Sequence, residues 1–213
     1  MGYDLQSLLL AAPAILFSLT VHEFFHAWAA NRLGDPTAKD MGRLTLNPLA
    51  HLDIMGTLMM FLSNFRFGWA KPVPINPYNL RHPRRDDFWI SAAGPLSNLG
   101  LAALSGILFR IVYGTGMLAQ YEAVGYLLFY LITINASLAF FNLLPIFPLD
   151  GSHIIRSLLP LQYGPLMDTI DRYSPMILMV LIFSGFVLKF SLIWIILGPF
   201  VRAVVYLVSG IQL

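Results

Sequence analysis

From Leu8 to Ala30 the chain is an almost unbroken apolar run, and inside it stands Val21-His22-Glu23-Phe24-Phe25-His26, an HExxH sequence. A run of that length reads as membrane-buried, where the backbone must satisfy its own hydrogen bonds and is therefore helical. On a helix, residues four apart lie one turn apart on the same face. His22 and His26 can thus hold one metal ion between them, with Glu23 beside it but not bound to it. A zinc hydrolase needs this arrangement: two neutral imidazoles grip the ion, and a carboxylate takes a proton from water.

The rest of the chain is equally apolar. With 57% hydrophobic and 11% charged residues, 213 residues cannot hide their apolar side chains inside a globule, so the chain reads as a polytopic membrane protein. It has no cysteine, which excludes disulfides, thiolate ligands and cysteine nucleophiles. The net charge of +2 is too small, and its basic residues too local, for nucleic acid. The first apolar segment has no basic leader or small-residue cleavage pattern and carries the histidines, so it reads as retained. No linker or repeat divides the chain, which is expected to form one membrane domain over residues 1–213.

The first helix is expected over Leu5–Leu33, with Gly34-Asp35-Pro36 as its stop. His26 then lies roughly 12 Å before that stop, so the metal position is below the membrane surface and nearer the following loop. That loop, Asp35 to Asp87, holds Lys39, Arg43, Arg66, Lys71, Arg81, Arg84 and Arg85; with Arg32 at its edge it accounts for eight of the thirteen basic residues. The positive-inside rule makes it cytoplasmic and the amino terminus extracytoplasmic. Within it, Ile54 to Phe65 is apolar but too short to span, which suits a re-entrant or interfacial segment. Arg43–Leu46 and Ala70–Ile75 alternate or are punctuated by proline, which suits edge strands. His51 and His82 read as surface residues, and Arg81, Arg84 and Arg85 as a membrane-surface anchor.

A second span is expected over Phe88–Tyr113. In it Gly94, Asn98, Ala102 and Gly106 recur every fourth position, a stripe that admits a close neighbour and supplies an interhelical hydrogen bond. Packing is the simpler reading of Asn98, and direct catalysis the alternative. The third span, Ala123–Leu144, carries Asn135 and Asn142 on one face and breaks at Pro145 and Pro148 into Leu149-Asp150-Gly151. An ionised Asp150 in such surroundings is costly unless it finds a cation, and a metal held by two neutral histidines would be one. Ser174 to Gly210 is either two helices turning near Lys189, or one helix with a snorkelling lysine followed by an interfacial helix. The expected fold is all-α and polytopic, with four to five transmembrane helices and a short β or re-entrant region between the first two. Its catalytic core covers about residues 5–153, with extra carboxyl-terminal helices over about 174–213.

Four stretches together carry a family resemblance: His22-Glu23-Phe24-Phe25-His26; Gly68-Trp69-Ala70-Lys71-Pro72-Val73-Pro74; Gly94-Pro95-Leu96-Ser97-Asn98; and Asn142-Leu143-Leu144-Pro145-Ile146-Phe147-Pro148-Leu149-Asp150-Gly151. The chain resembles the site-2 protease family of intramembrane zinc metalloproteases, in its compact bacterial and archaeal branch without PDZ or nucleotide-sensing domains. The match covers roughly Leu8 to His153. The resemblance implies one Zn2+ held by His22, His26 and Asp150, Glu23 as general base, and Asn142 near the substrate carbonyl, where it could donate to the developing oxyanion. It also implies that the partners are transmembrane protein substrates, cut within the lipid bilayer.

Three other readings compete. His22 and His26 could merely hydrogen-bond within a bundle, which the adjacent Glu23 in lipid disfavours. The chain could be a metal-ion transporter, although its later spans offer only amides and Asp150 as further ligands. It could also be an inactive protein that binds membrane helices. Glu23→Gln separates the first functional pair: a protease keeps its zinc and stops cutting, while a transporter loses flux. His153 could support Asp150, but a hydrated helix-end histidine is the simpler reading. A substrate helix hides its carbonyls and must unwind, and the Arg43–Pro77 region is expected to offer it an unpaired strand edge.

Overall fold

The structure, a computed structural model, describes residues 5–63, 68–115, 121–188 and 190–212. The described residues form α1 (Leu5–Leu33), α2 (Thr37–Asp40), α3 (Ile54–Leu62), α4 (Pro83–Gly114), α5 (Glu122–Asn142), α6 (Asp150–Leu158), α7 (Gly164–Val187) and α8 (Leu192–Ser209). Four of these helices, α1, α4, α5 and α8, are long and apolar enough to cross a membrane.

Local chemistry sets the ends of these helices. Helix α4 begins with Pro83, whose missing N–H costs nothing in a first turn, and Asp86 accepts a 2.7 Å bond from the His82 backbone N–H. It therefore starts five residues before the expected Phe88. Helix α1 ends at Gly34, whose φ of 116° requires a residue without Cβ. Ser191 caps α8 by accepting from the Trp194 N–H at 3.3 Å.

Helix α4 is the centre of the bundle, in contact with α1, α5, α6 and α8. One core, where α4, α5 and α8 meet, contains Phe109, Leu128, Ile132, Ala136, Leu197, Val201 and Val205. A second, of Ala29, Ala30, Leu80 and Ile90, ties the end of α1 to α4 and the loop before it. Large apolar side chains such as Phe17, Leu104, Ile107, Ile196 and Leu207 point outward, as helices facing lipid require.

The segment between α1 and α4 departs from expectation. Among its described residues there is no strand; an isolated antiparallel bridge joins Leu52 to Ala70, and the Lys71 N–H donates to the His51 carbonyl at 2.8 Å. Pro72 and Pro74 remove the amides that would continue a ladder. The apolar stretch from Ile54 is the nine-residue α3, and residues 64–67 lie outside the described set. His51 is not a surface residue: it is 2% exposed, and its Nε2–H donates to the Thr45 carbonyl at 2.8 Å. His82 is exposed as expected.

Beyond α6 the chain forms two helices, the first of the two alternatives, although Lys189 itself lies outside the described residues. Helix α7 starts ten residues earlier than Ser174. Its first half carries Asp168 and Asp171, each 2.7 Å from the Arg156 guanidinium.

Candidate metal centre

Helices α1 and α4 face each other turn by turn across the site. Their contacts pair residues 18, 22 and 26 of α1 with 98, 94 and 90 of α4, in reverse order. Gly94 sits in the middle. A Cβ there would overlap the Nε2 of His26 and the Cε1 of His22, so the two imidazoles occupy the space that a side chain would fill. This is what the small-residue stripe of α4 provides at this depth.

Backbone carbonyls behind the histidines dictate where the protons sit. Asn135 Nδ2 donates to the Leu131 carbonyl and to the Ser18 hydroxyl, both at 2.8 Å, which turns its Oδ1 towards Asn98. Asn98 Nδ2 donates to that oxygen at 2.8 Å and to the Ser18 carbonyl at 3.3 Å. Asn98 Oδ1 must then face His22 Nδ1, 2.6 Å away, so Nδ1 carries the proton. His26 Nδ1 likewise donates to the Ile90 carbonyl at 2.7 Å. In the neutral rings both Nε2 atoms then offer lone pairs.

Those two lone pairs lie 3.0 Å apart, and the Asp150 carboxylate approaches them, Oδ2 at 3.3 Å from His22 and Oδ1 at 3.3 Å from His26. One donor atom from each residue falls within a 4.8 Å cluster. The Asp150 Oδ2 is buried without a hydrogen bond. Three donor atoms that converge in this way form a group that could hold a metal ion. Two imidazoles and one carboxylate are ligand types that suit zinc.

Asp150 is brought there by the turn after α5. A Cβ at Gly151 would overlap the carbonyls of Leu143 and Leu144, so the Leu-Asp-Gly sequence lets α6 start tight against the end of α5. Glu23, between the histidines in sequence, accepts the Val73 N–H on Oε2 at 3.2 Å.

Asn142 and His153 make contacts apart from the three donors. Asn142 ends α5 half-buried, its Nδ2 donating to the Leu138 carbonyl at 3.0 Å, and among the described residues it bonds to neither the three donors nor Glu23. His153 pairs not with Asp150 but with Asp87, Nδ1 to Oδ2 at 3.4 Å. The Asp87 carboxylate holds the His153 pKa above its ordinary value by hydrogen bonding, against the opposing effect of burial. Asn98, read chiefly as packing, is the orienting partner of a metal-facing histidine. The four-residue interval from Gly94 was the available signal, since it puts the amide one turn from the position where the imidazoles enter.

The comparisons with known proteins point to metalloproteases. The profile of peptidase family M50 matches residues 104–185. YwhC of Bacillus subtilis, named as a candidate zinc metalloprotease, is 40% identical over 183 residues, 84% of this chain and 82% of its own length. Rip2 of Mycobacterium tuberculosis, named in the same way, is 34% identical over 140 residues, 64% of this chain and 52% of its own length. The zinc metalloprotease MJ0392 of Methanocaldococcus jannaschii is 28% identical over 162 residues, 73% of this chain and 38% of its own length. The chain thus spans about half of Rip2 and less of MJ0392. No solved structure matches. A transporter is not favoured by any of these relatives. On its identity with YwhC across most of both chains, the protein belongs to peptidase family M50, the site-2 proteases, and is an intramembrane zinc metalloprotease.

Proposed function

We propose that His22, His26 and Asp150 hold a single zinc ion and that Glu23 is the general base for hydrolysis of peptide bonds within membrane-spanning segments of other proteins. The observation that carries this reading is the convergence, within 4.8 Å, of donor atoms of His22, His26 and Asp150 at a helix long and apolar enough to cross a membrane. When bound, zinc polarises the scissile carbonyl and acidifies water. Asn98 and the Ile90 carbonyl keep the Nδ1 protons in place, so that both Nε2 atoms stay basic. Glu23 accepts the proton of the attacking water and returns it to the leaving amine. For Asn142 to donate to the oxyanion it must release the Leu138 carbonyl, a rotamer change at a helix end.

The same reading places the basic loop and the site towards the cytoplasm and the amino terminus outside. A cavity of about 700 Å³ supports entry of a substrate segment from the membrane. Its lining includes Leu19 and Thr20 of α1, Trp69 and Ala70 of the loop, and Ser137 and Phe141 of α5, so it opens one turn before Glu23. An unwound segment needs backbone partners, and the carbonyls of Val73 and Ile75 and the Ile75 N–H have none among the described residues.

The test is co-expression of the chain, and separately its Glu23→Gln form, with tagged single-span membrane proteins. Fragments are expected with the parent alone, and zinc is expected in both forms. Fragments that persist with Glu23→Gln would remove Glu23 from the role of base, and absence of zinc from both would remove the metal site.

A further inference from the structure

Arg43 is 5% exposed, and among the described residues no carboxylate lies within ion-pair distance of it. A buried guanidinium without a counter-charge is costly, so its bonds should accomplish something. They go to two consecutive carbonyls, Nη2 to Lys71 at 2.5 Å and Nη1 to Pro72 at 3.3 Å. The Pro72 carbonyl and the Val73 N–H belong to one peptide unit. That unit is planar and trans, so its C=O and N–H point in opposite directions. Held by Arg43 on its carbonyl side, the unit aims its N–H at Glu23 Oε2, 3.2 Å away.

One rigid peptide plane therefore connects a buried cation to the carboxylate of Glu23. The flanking prolines add stiffness: Pro72 has fixed φ, and Pro74 restricts Val73 to extended conformations. Lys71 is pinned separately through its N–H on the His51 carbonyl. We propose that Arg43 is a positioning residue for the hydrolytic reaction, acting through the Pro72–Val73 peptide to hold the Glu23 carboxylate in its reactive orientation. Charge on the carbonyl side also polarises the unit and strengthens the N–H bond on the other. The proposal rests on Glu23 being the base.

The experiment uses the full chain in proteoliposomes with a single-span protein that the parent cuts and the Glu23→Gln form does not. That pair establishes the base independently, so a failure below bears on Arg43 alone. Arg43→Ala removes the clamp; Val73→Pro removes the N–H while keeping Arg43 and an extended course between two prolines. Each should lower kcat about tenfold to a hundredfold, with KM within about twofold and zinc retained. Arg43→Lys should recover part of the loss, because an ammonium still reaches one carbonyl. The double variant should be no slower than the worse single one, since both cut the same link. Unchanged or raised kcat in Val73→Pro, multiplying losses in the double variant, or a change confined to KM would overturn the proposal. If Arg43→Ala fails to fold, the comparison of Arg43→Lys with Val73→Pro decides by the same criteria.

Discussion

Asn98 Oδ1 lies 2.6 Å from His22 Nδ1, and this contact decides which nitrogen of His22 faces His26 and Asp150. The amide can accept there because its nitrogen is committed to Ser18 and Asn135, which are themselves tied to the backbone of α1 and α5. A residue of α4 thus sets the tautomer of a residue on α1 through a chain of bonds that involves three helices.

Replacing Asn98 with Ala should release the His22 ring and free its tautomer. Loss of an outer-shell partner of this kind lowers metal affinity about 10- to 100-fold. Competition with a chelator of known zinc affinity measures it directly. Asn98→Asp, which keeps an acceptor facing Nδ1, should retain more zinc than Asn98→Ala.

Gly94→Ala should be far more damaging than one methyl group suggests. The added Cβ falls on the His26 and His22 rings, and the clash is with the metal-facing edge rather than with a flexible end. Zinc content and cleavage should both be lost, by at least about tenfold on the overpacking scale. The helical circular dichroism signal should stay near the parent value, because α4 itself gains a better helix former. A variant with full zinc would contradict the packing described.

Asp35 offers a pH test away from the metal. It is buried at the end of α1 and accepts from the Thr37 N–H and hydroxyl, the Asn76 N–H at 2.7 Å and Asn79 Nδ2 at 2.9 Å. Burial alone would raise its pKa, but these bonds hold it below the usual carboxylate range. A depressed folded value stabilises above the unfolded pKa of about 4 and loses that contribution as pH falls through the folded value. The melting temperature advantage of the parent over Asp35→Asn should therefore be constant near neutrality and shrink under acid. Asp35→Ala, which strands several donors, should cost about 1–3 kcal/mol at neutral pH.

Much of the architecture was legible before any coordinates. The first helix ends where Gly34-Asp35-Pro36 says it must, and Asn142 to Gly151 announces a helix end, a turn and a carboxylate in need of a cation. Readings that failed concern segments without a period of their own. Prolines 72 and 74 were compatible with edge strands, yet the chain there is held by Arg43, His51 and Glu23 rather than by a ladder. His51 read as a loop residue because nothing in its neighbours showed that Thr45 would fold back over it.

The sequence by itself determined the pair His22 and His26, since four residues on a helix are one turn on one face whatever surrounds them. It also determined that α1, α4 and α5 are apolar enough to cross lipid, since composition and length need no partner. Only the tertiary structure decided that Asp150 comes within 3.3 Å of both imidazoles, that Asn98 rather than Asn142 bonds to one of them, and that Arg43 meets the peptide leading to Glu23. Those outcomes depend on how one helix is rotated and slid against another. Such placement follows from the packing of many side chains at once, of which no local pattern in the chain carries a record.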